Sequence, residues 1–434
     1  MGVSLAATES SWSPADSLAE LRQLAATAGA RVTGSTIQAL RAPNPRSYLG
    51  AGKVAELAMR RKEEGVDLFI FDDELSPSQA RNLEQELGAK VIDRTGLVLD
   101  IFGQRAHTYE GRLQVQLAQY EYLLPRLAGQ WTHLSRQEGG VGARGGPGET
   151  QLEIDRRRVR ERIADIKRDL ERVRRSRSLH RARRLDQSIA VVPLVGYTNA
   201  GKSTLLNSVT SAGVLAEDKL FATLDPTNRR IRLPSGRQVI LTDTVGFIQR
   251  LPPSVVAAFR ATLEELDVAD LLVQVVDVSH PDCPAQAAEV AGVLASLHLG
   301  EKPCVTVLNK VDRLTDVWPA SPVPEPIALA AREYPRPVAI SAERGWGIAD
   351  LLDEIDRALA EQLHAMRALL PYAEGALLNF WKSHGVVEAE EYLEDGVLVA
   401  GRLPPMLIHR YERYRQRDPA ASSRPVRRER VARG

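Results

Sequence analysis

An α/β fold in several parts follows from three features of the 434-residue sequence. The run Gly196-Tyr197-Thr198-Asn199-Ala200-Gly201-Lys202-Ser203 has the form G-x-x-x-x-G-K-S. It stands between an apolar, strand-like run (Ile189 to Val195) and a helix-like run opening at Thr204, the setting in which such a loop cradles phosphates. Upstream, strand-like and helix-like runs alternate from Ala30 onward, the pattern of a small parallel-sheet domain. Between these two regions lie two long stretches of helical spacing, separated by a glycine-rich run. The predicted order is a flexible N-terminus (1–29), a small parallel α/β domain (30–108) and an antiparallel helical hairpin with a Gly-rich basic tip (109–187). A phosphate-loop domain (188–364), a small α+β domain (365–410) and an Arg-rich tail (411–434) follow.

Hydrophobic residues make up 44% of the chain and charged residues 26%, which places it among ordinary globular proteins. No apolar run approaches the roughly 20 residues of a membrane span, and the polar N-terminus carries no signal-peptide core. Cys283 and Cys304 are the only cysteines, which argues against a disulfide framework and a zinc site and for a cytoplasmic setting. The formal net charge of +1 hides an uneven distribution. From Arg156 to Arg184, 14 Lys/Arg face 4 Asp/Glu, and from His409 to the end 9 Arg face 3 acids. Such asymmetry fits a polyanionic partner, and equally a solvated charged helix.

Taken in order, Pro14 to Ala28 has room for a short helix within an otherwise loose end. Arg31 to Leu40 reads as a strand, Lys53 to Glu64 as a helix, and Asp67 to Phe71 as a short buried strand. Ser76-Pro77 caps a helix that stops at Gly88. Lys90 to Asp93 is the next strand and Thr95 to Phe102 the next helix. Gly50-Ala51-Gly52-Lys53 imitates part of a phosphate loop, but it lacks the spacer and the following Ser/Thr, so it reads as a turn opening a helix. Leu113, Leu117, Tyr120, Leu124 and Leu127 form one helical seam; Leu152, Val159, Ile163, Ile166, Leu170 and Val173 form another. Neither seam is wide enough to stand alone, so the two helices are expected to pack as a hairpin. The Gly139–Gly148 stretch between them, with Arg136, Arg144, Trp131 and His133, reads either as a plain connector or as a basic loop suited to folded RNA.

Downstream of the phosphate loop, Lys219 to Arg229 is polar and turn-rich, with Thr223 and Thr227 as candidate Mg²⁺ ligands in a switch loop. Gln238 to Asp243 is a strand ending in Asp243-Thr244-Val245-Gly246, a D-x-x-G motif. Asp243 would hold Mg²⁺ through water, and the Gly246 N–H would meet a γ-phosphate. Leu271 to Val276 and Cys304 to Leu308 are strands, the second leading into Asn309-Lys310-Val311-Asp312, or N-K-x-D. Asp312 can accept two hydrogen bonds from guanine, and adenine offers no donors there. Val338 to Ala342 is a last strand ending in Ser341-Ala342, whose backbone N–H would contact guanine O6. Four ordered motifs at the ends of strands define a P-loop GTPase domain. Nucleotide contacts are expected from Gly196 through Thr204, Phe221, Ala222, Thr223, Leu224, Asp243 through Gly246, Asn309, Lys310, Asp312, Ser341, Ala342 and Glu343. Lys202, Thr223 and Gly246 would act on the transferring phosphate, and Ser203, Thr223 and Asp243 would hold Mg²⁺. Phe247 stands where Ras-like proteins often carry a water-orienting Gln, so intrinsic hydrolysis should be slow and partner-stimulated. Beyond Pro371, Leu377 to His384 reads as a helix, and Val386 to Tyr392 and Val397 to Leu403 as a strand pair about Glu394-Asp395-Gly396, before a partly disordered tail.

These residues resemble the HflX family of bacterial GTPases. The resemblance is carried by Phe221-Ala222-Thr223-Leu224-Asp225-Pro226-Thr227 and Asp243-Thr244-Val245-Gly246-Phe247-Ile248. Outside the GTPase domain it is carried by Phe71-Asp72-Asp73-Glu74-Leu75-Ser76-Pro77 and Gly148-Glu149-Thr150-Gln151-Leu152-Glu153. It spans about residues 30 to 405 and makes Thr223 the first choice of Mg²⁺ ligand, with Thr227 second. It implies binding to the large ribosomal subunit and its rRNA, separation of stalled or idle ribosomes into subunits, notably after heat stress, and a monomer off the ribosome. The tip reads Arg144-Gly145-Gly146-Pro147-Gly148, one Gly longer than the family's R-G-P-G. The competing readings are a GTP-dependent ribosome-assembly factor and an RNA-remodelling ATPase, the latter disfavoured by N-K-x-D.

Overall fold

A computed structural model describes residues 2–5, 13–127, 151–187, 189–210, 220–221, 227–249 and 266–416. The tip of the arm, with Arg136, Arg144 and residues 139–148, lies outside them, as do Ala222, Thr223, Leu224 and the tail from 417.

The first elements are β1 (Gly2–Leu5), α1 (Pro14–Thr27), β2 (Ile37–Leu40), α2 (Ala51–Glu64) and β3 (Leu68–Phe71). They are followed by α3 (Pro77–Leu87), β4 (Lys90–Asp93) and α4 (Arg94–Arg105). Helix signals act as the sequence predicts. Ser76 and Gln79 form a reciprocal capping box, Gly88 ends α3 in the left-handed region (φ +65°), and Gly50 caps α2. Gly50-Ala51-Gly52-Lys53 is thus a helix start.

The expected parallel pairing is present, divided into two separate pairs, β1 with β2 and β3 with β4. The strand expected from Arg31 shrinks to Ile37–Leu40 because residues 31–35 face solvent. The short helix expected within the N-terminal segment is present as α1 (Pro14–Thr27). Helix α1 is capped by Ser13, whose side chain accepts the Asp16 N–H at 3.2 Å. It buries Leu18, Leu21, Leu24 and Ala25 against Val98 and Phe102 of α4 and against Phe247 and Ile248 of the nucleotide domain. Their spacing is that of one helical face, hidden in an Ala-rich context.

Helices α5 (Tyr109–Arg126) and α6 (Gln151–Gln187) pack side by side and are tied by Lys167 Nζ to Glu121 Oε1 at 2.8 Å. The seam positions Val159, Ile163, Ile166, Leu170 and Val173 are sheltered on α6, Ile166 completely, while the Arg-rich faces between them are exposed. A second face of α5, with Val115 and Ala118, joins the core shared with α4, which the seam alone did not reveal.

The nucleotide domain is one six-stranded sheet in the order β10-β9-β8-β5-β7-β6. Its strands are β5 (Ala190–Gly196), β6 (Thr227–Arg232), β7 (Gln238–Asp243), β8 (Leu272–Asp277), β9 (Cys304–Asn309) and β10 (Pro337–Ala339). All neighbours run parallel except β6, an antiparallel edge strand. The sequence reading placed Thr227 to Arg229 in a switch loop; they open β6, and Thr227 pairs in register with Asp243. Polar, exposed side chains on one face of an edge strand look like a loop in sequence. Helices α7 (Lys202–Thr210), α8 (Cys283–Ser296), α9 (Glu325–Glu333) and α10 (Ile348–Glu361) complete the domain. The phosphate loop, Asp243, Asn309 and the Ser341 loop all follow carboxyl ends of strands, where ligands gather in open parallel sheets.

The C-terminal domain is a three-stranded antiparallel sheet ordered β11-β13-β12. It comprises β11 (His364–Leu370), β12 (Val386–Leu393) and β13 (Gly396–Leu403), with Trp381 and Tyr411 at the centre of its core. The sequence reading passed over β11, whose short run directly follows α10.

Candidate functional site: a phosphate loop closed over N-K-x-D

Gly196 and Gly201 bend the loop as only glycine can. Their φ angles are +152° and +99°. A Cβ on Gly196 would lie 2.3 Å from the Val275 carbonyl oxygen, and one on Gly201 would lie 2.2 Å from Asn309 Nδ2. The loop thus rests directly on β8 and on the N-K-x-D motif. Asn309 Nδ2 donates to the Ala200 carbonyl (2.8 Å), and Asn309 Oδ1 accepts the Ala342 N–H (3.0 Å). One buried amide therefore joins the phosphate loop to the Ser341-Ala342 loop. The sequence assigned the Ala342 N–H to guanine O6; in this structure Asn309 holds it. Lys310 takes the left-handed region (φ +66°), with its ammonium 2.7 Å from Asp277 Oδ2. Asp312 follows on a short 3₁₀ turn and is half-exposed.

Lys202 is buried, and its ammonium donates to the carbonyls of Gly196 (3.1 Å) and Tyr197 (2.8 Å). Burial pushes its pKa down to about 8, Asp243 pulling it back up and Lys310 pushing further down. Ser203 Oγ donates to Asp243 Oδ2 at 2.6 Å. A hydroxyl and a carboxylate so placed are the hard oxygen donors Mg²⁺ takes when substrate phosphates and water supply its other ligands. Among the described residues no cluster of three or more His, Cys, Asp or Glu could hold a metal by itself.

The D-x-x-G segment is zipped to the loop. Thr198 N–H donates to the Phe247 carbonyl (2.7 Å), and Phe247 N–H donates to the Gly196 carbonyl (3.1 Å). Gly246 sits so close that a Cβ would lie 2.7 Å from Thr198 Cγ2 and 3.0 Å from Lys202 Nζ. The Thr244 hydroxyl donates to the Leu194 carbonyl, tying the same segment to β5. Of the first switch segment, Phe221 is buried (φ +58°) and packs edge-on against Phe102 of α4, ring centroids 4.6 Å apart.

Sequence reasoning missed the polar cluster beneath the loop. Arg94 Nε and Nη2 donate to Asp72 Oδ1 (3.0 and 2.6 Å), and Nη1 donates to the Gln249 carbonyl (3.2 Å). The Tyr197 hydroxyl donates to Glu20 Oε2 (2.9 Å) and accepts the Gln249 N–H (2.7 Å). Burial pushes the Glu20 carboxyl up, with Arg94 pulling it down, and burial beside Glu20 pushes the Tyr197 phenol up. The one available signal was a basic residue at the first position of a helix, the wrong end for the macrodipole.

A parallel sheet with a phosphate loop, D-x-x-G and N-K-x-D gathered at one edge defines a P-loop GTP-binding protein. Three family models agree: GTP-binding GTPase N-terminal over 15–103, GTP-binding GTPase Middle Region over 105–184, and 50S ribosome-binding GTPase over 191–310. The chain is 47% identical over 398 residues to the GTPase HflX of Magnetococcus marinus, covering 91% of this chain and 90% of that one. It is 44% identical over 390 residues to the GTPase HflX of Escherichia coli, covering 90% of this chain and 90% of that one. A crystal structure of a GTP-binding protein from Sulfolobus solfataricus in complex with GDP matches 83% of this chain and 99% of its own, at 23% identity and a TM-score of 0.43. The chain belongs to the GTPase HflX family and is a GTPase. No helix of the described residues is long and apolar enough to cross a membrane.

Proposed function

We propose that the chain is a cytoplasmic, ribosome-dependent GTPase that docks on the large subunit and separates stalled or idle ribosomes, with the helical arm as its working limb. Asp312 accepts from guanine, Asn309 holds the phosphate loop against the base-side loop, and Lys202 places its charge at the β- and γ-phosphates. Ser203, Asp243 and, in the switch segment, Thr223 hold Mg²⁺, which supplies charge neutralisation at the phosphates when bound. Gly246 offers its N–H to the γ-phosphate. The Phe247 side chain cannot orient water, so the remaining catalytic element comes from the ribosome closing the switches.

The observation that carries the ribosomal reading is α6. Its 37 residues span about 55 Å at 1.5 Å per residue, with Arg157, Arg158, Arg160, Arg162, Arg168, Arg172 and Arg175 exposed. Acids three or four positions away pair with several of these, as in Arg168–Asp165 and Arg172–Asp169, but 14 basic against 4 acidic residues leave a large excess. Phosphate backbones are the chemistry that such a rod fits. Single-turnover GTP cleavage with and without large subunits tests the reading. Cleavage should accelerate by about 10²–10³-fold, the gain from completing one transition-state contact; no acceleration would sink it.

A further inference from the structure

We propose that the dipeptide Asp93-Arg94 couples the nucleotide pocket to the helical arm, its two side chains holding opposite partners. The proposal rests on the reading of the phosphate loop as the GTP site and of α5 and α6 as the arm.

Arg94 faces the layer beneath the phosphate loop. Its guanidinium holds the Gln249 carbonyl, three residues beyond Gly246, and lies 3.7 Å from Glu20, the carboxylate that accepts the Tyr197 hydroxyl. Ser17 closes the ring, its Oγ 2.5 Å from Asp72 Oδ2 and 2.9 Å from Gln249 Oε1. Arg94 is 3% exposed, Glu20 9% and Asp72 6%, so water cannot replace a lost contact cheaply.

Asp93 faces the arm. Its Oδ1 accepts the Tyr122 hydroxyl of α5 (2.8 Å) and the Gly96 N–H at the start of α4 (2.8 Å). Its Oδ2 accepts Arg126 Nη2 of α5 (2.8 Å) and the Leu75 N–H (3.2 Å). The fit leaves no slack: a Cβ on Gly96 would lie 2.7 Å from the Tyr122 hydroxyl. The two α-carbons are about 3.8 Å apart and fixed between a strand end and a helix start. One helix therefore carries both connections, and Phe102 of the same helix seats Phe221 of the other switch segment.

In the described arrangement the Phe247 carbonyl takes the Thr198 N–H, and Gly246 leaves room for no more than its own hydrogen beside Thr198 and Lys202, where an added Cβ would lie 2.7 Å from Thr198 Cγ2 and 3.0 Å from Lys202 Nζ. A γ-phosphate needs that space and those donors. Its entry must shift Gly246 and Phe247, and Gln249 passes the shift to Arg94. By reciprocity, any arm contact that differs between the two states must alter triphosphate affinity relative to diphosphate affinity.

The test titrates the full chain with GDP and with a slowly hydrolysed GTP analogue, for the unmodified protein and for Tyr122→Phe and Ser17→Ala. Neither residue belongs to a nucleotide motif. Each variant loosens the clamp, so the ratio of analogue affinity to GDP affinity should rise at least about threefold, the scale of one hydrogen bond. A purely structural role would weaken both nucleotides alike. An unchanged ratio in variants that still melt cooperatively overturns the proposal. Should a variant fail to fold, amide exchange in the unmodified chain decides. The Gly96 and Leu75 amides, both held by Asp93, should exchange at different rates in the GDP and analogue complexes; equal rates overturn the proposal. No ribosome enters the test, so its failure is distinct from failure of the ribosomal reading.

Discussion

The nucleotide face and the layer beneath it are both buried and polar, yet they are built in opposite ways. On the nucleotide face, short local motifs aim side chains at backbone: Lys202 at two carbonyls of its own loop, Asn309 at Ala200 and Ala342, Thr244 at Leu194. Beneath it, side chains distant in sequence satisfy one another, such as Ser17 with Asp72 and Gln249, or Glu20 with Tyr197. The first pattern ties side chains to main-chain groups, within one loop for Lys202 and across 33 to 109 positions for Asn309 and Thr244. The second exists only once α1, β4 and the D-x-x-G strand have docked. The proposed chemistry on the ligand uses the first kind of contact, and the proposed coupling to the arm uses the second.

Breaking the two regions separately should give different phenotypes. Lys202→Ala removes the buried cation of the loop and should lower GTP turnover by about 10²–10³-fold with the melt little changed, as a lost charge at a transferring group does. Steady-state turnover beside a thermal melt checks it. Asp312→Asn should weaken GTP by on the order of a hundredfold and improve xanthosine nucleotides, because two charged hydrogen bonds to the base are lost. Competition titration with GTP and XTP reads this directly.

The layer beneath should fail through stability instead. Arg94→Met leaves Asp72 and Glu20 buried without their cation, at a cost of about 3–5 kcal/mol. Denaturant unfolding of the full chain should show it, and a loss under 1 kcal/mol would mean that water reaches the cluster.

What was legible follows the same division. Strands β5, β7 and β9 and the capped helices α2 and α3 emerge from the sequence because alternation, capping and glycine punctuation are local signals. Ser203 reaches Asp243, Asn309 reaches Ala200 and Lys202 folds back on Gly196, contacts between residues the motifs had singled out. Strand β6 was hidden because an edge strand with one exposed face carries loop-like residues. Helix α1 was legible as a short helix, but Ala and Ser surround its buried leucines, so nothing marked the surface it covers. Arg94, Glu20 and Gln249 carry no motif at all; only their docked partners give them meaning.

The smallest expected effect sharpens the contrast on the nucleotide side. Arg237 and Ser235 clamp Asp356 of α10, with Ser235 N–H to Oδ2 at 2.9 Å and Arg237 Nε to Oδ1 at 3.0 Å. Burial alone would raise the Asp356 carboxyl, but the hydrogen bonds from Arg237 and Ser235 outweigh it, so its pKa lies below the ordinary value of 3.8. Its contribution is therefore present above about pH 4 and lost as pH falls through the lowered value. Asp356→Asn should cost about 1 kcal/mol near neutrality, given partial solvent screening, and the difference from the unmodified chain should vanish in acid melts.

The central claim is that GTP bound at this loop makes the arm part ribosomes. Sedimentation of intact ribosomes with the full chain and a slowly hydrolysed GTP analogue tests it most directly, with GDP as the control. The account predicts free subunits, with the protein on the large one, in the analogue sample alone. Intact ribosomes in both samples, with or without bound protein, would contradict it.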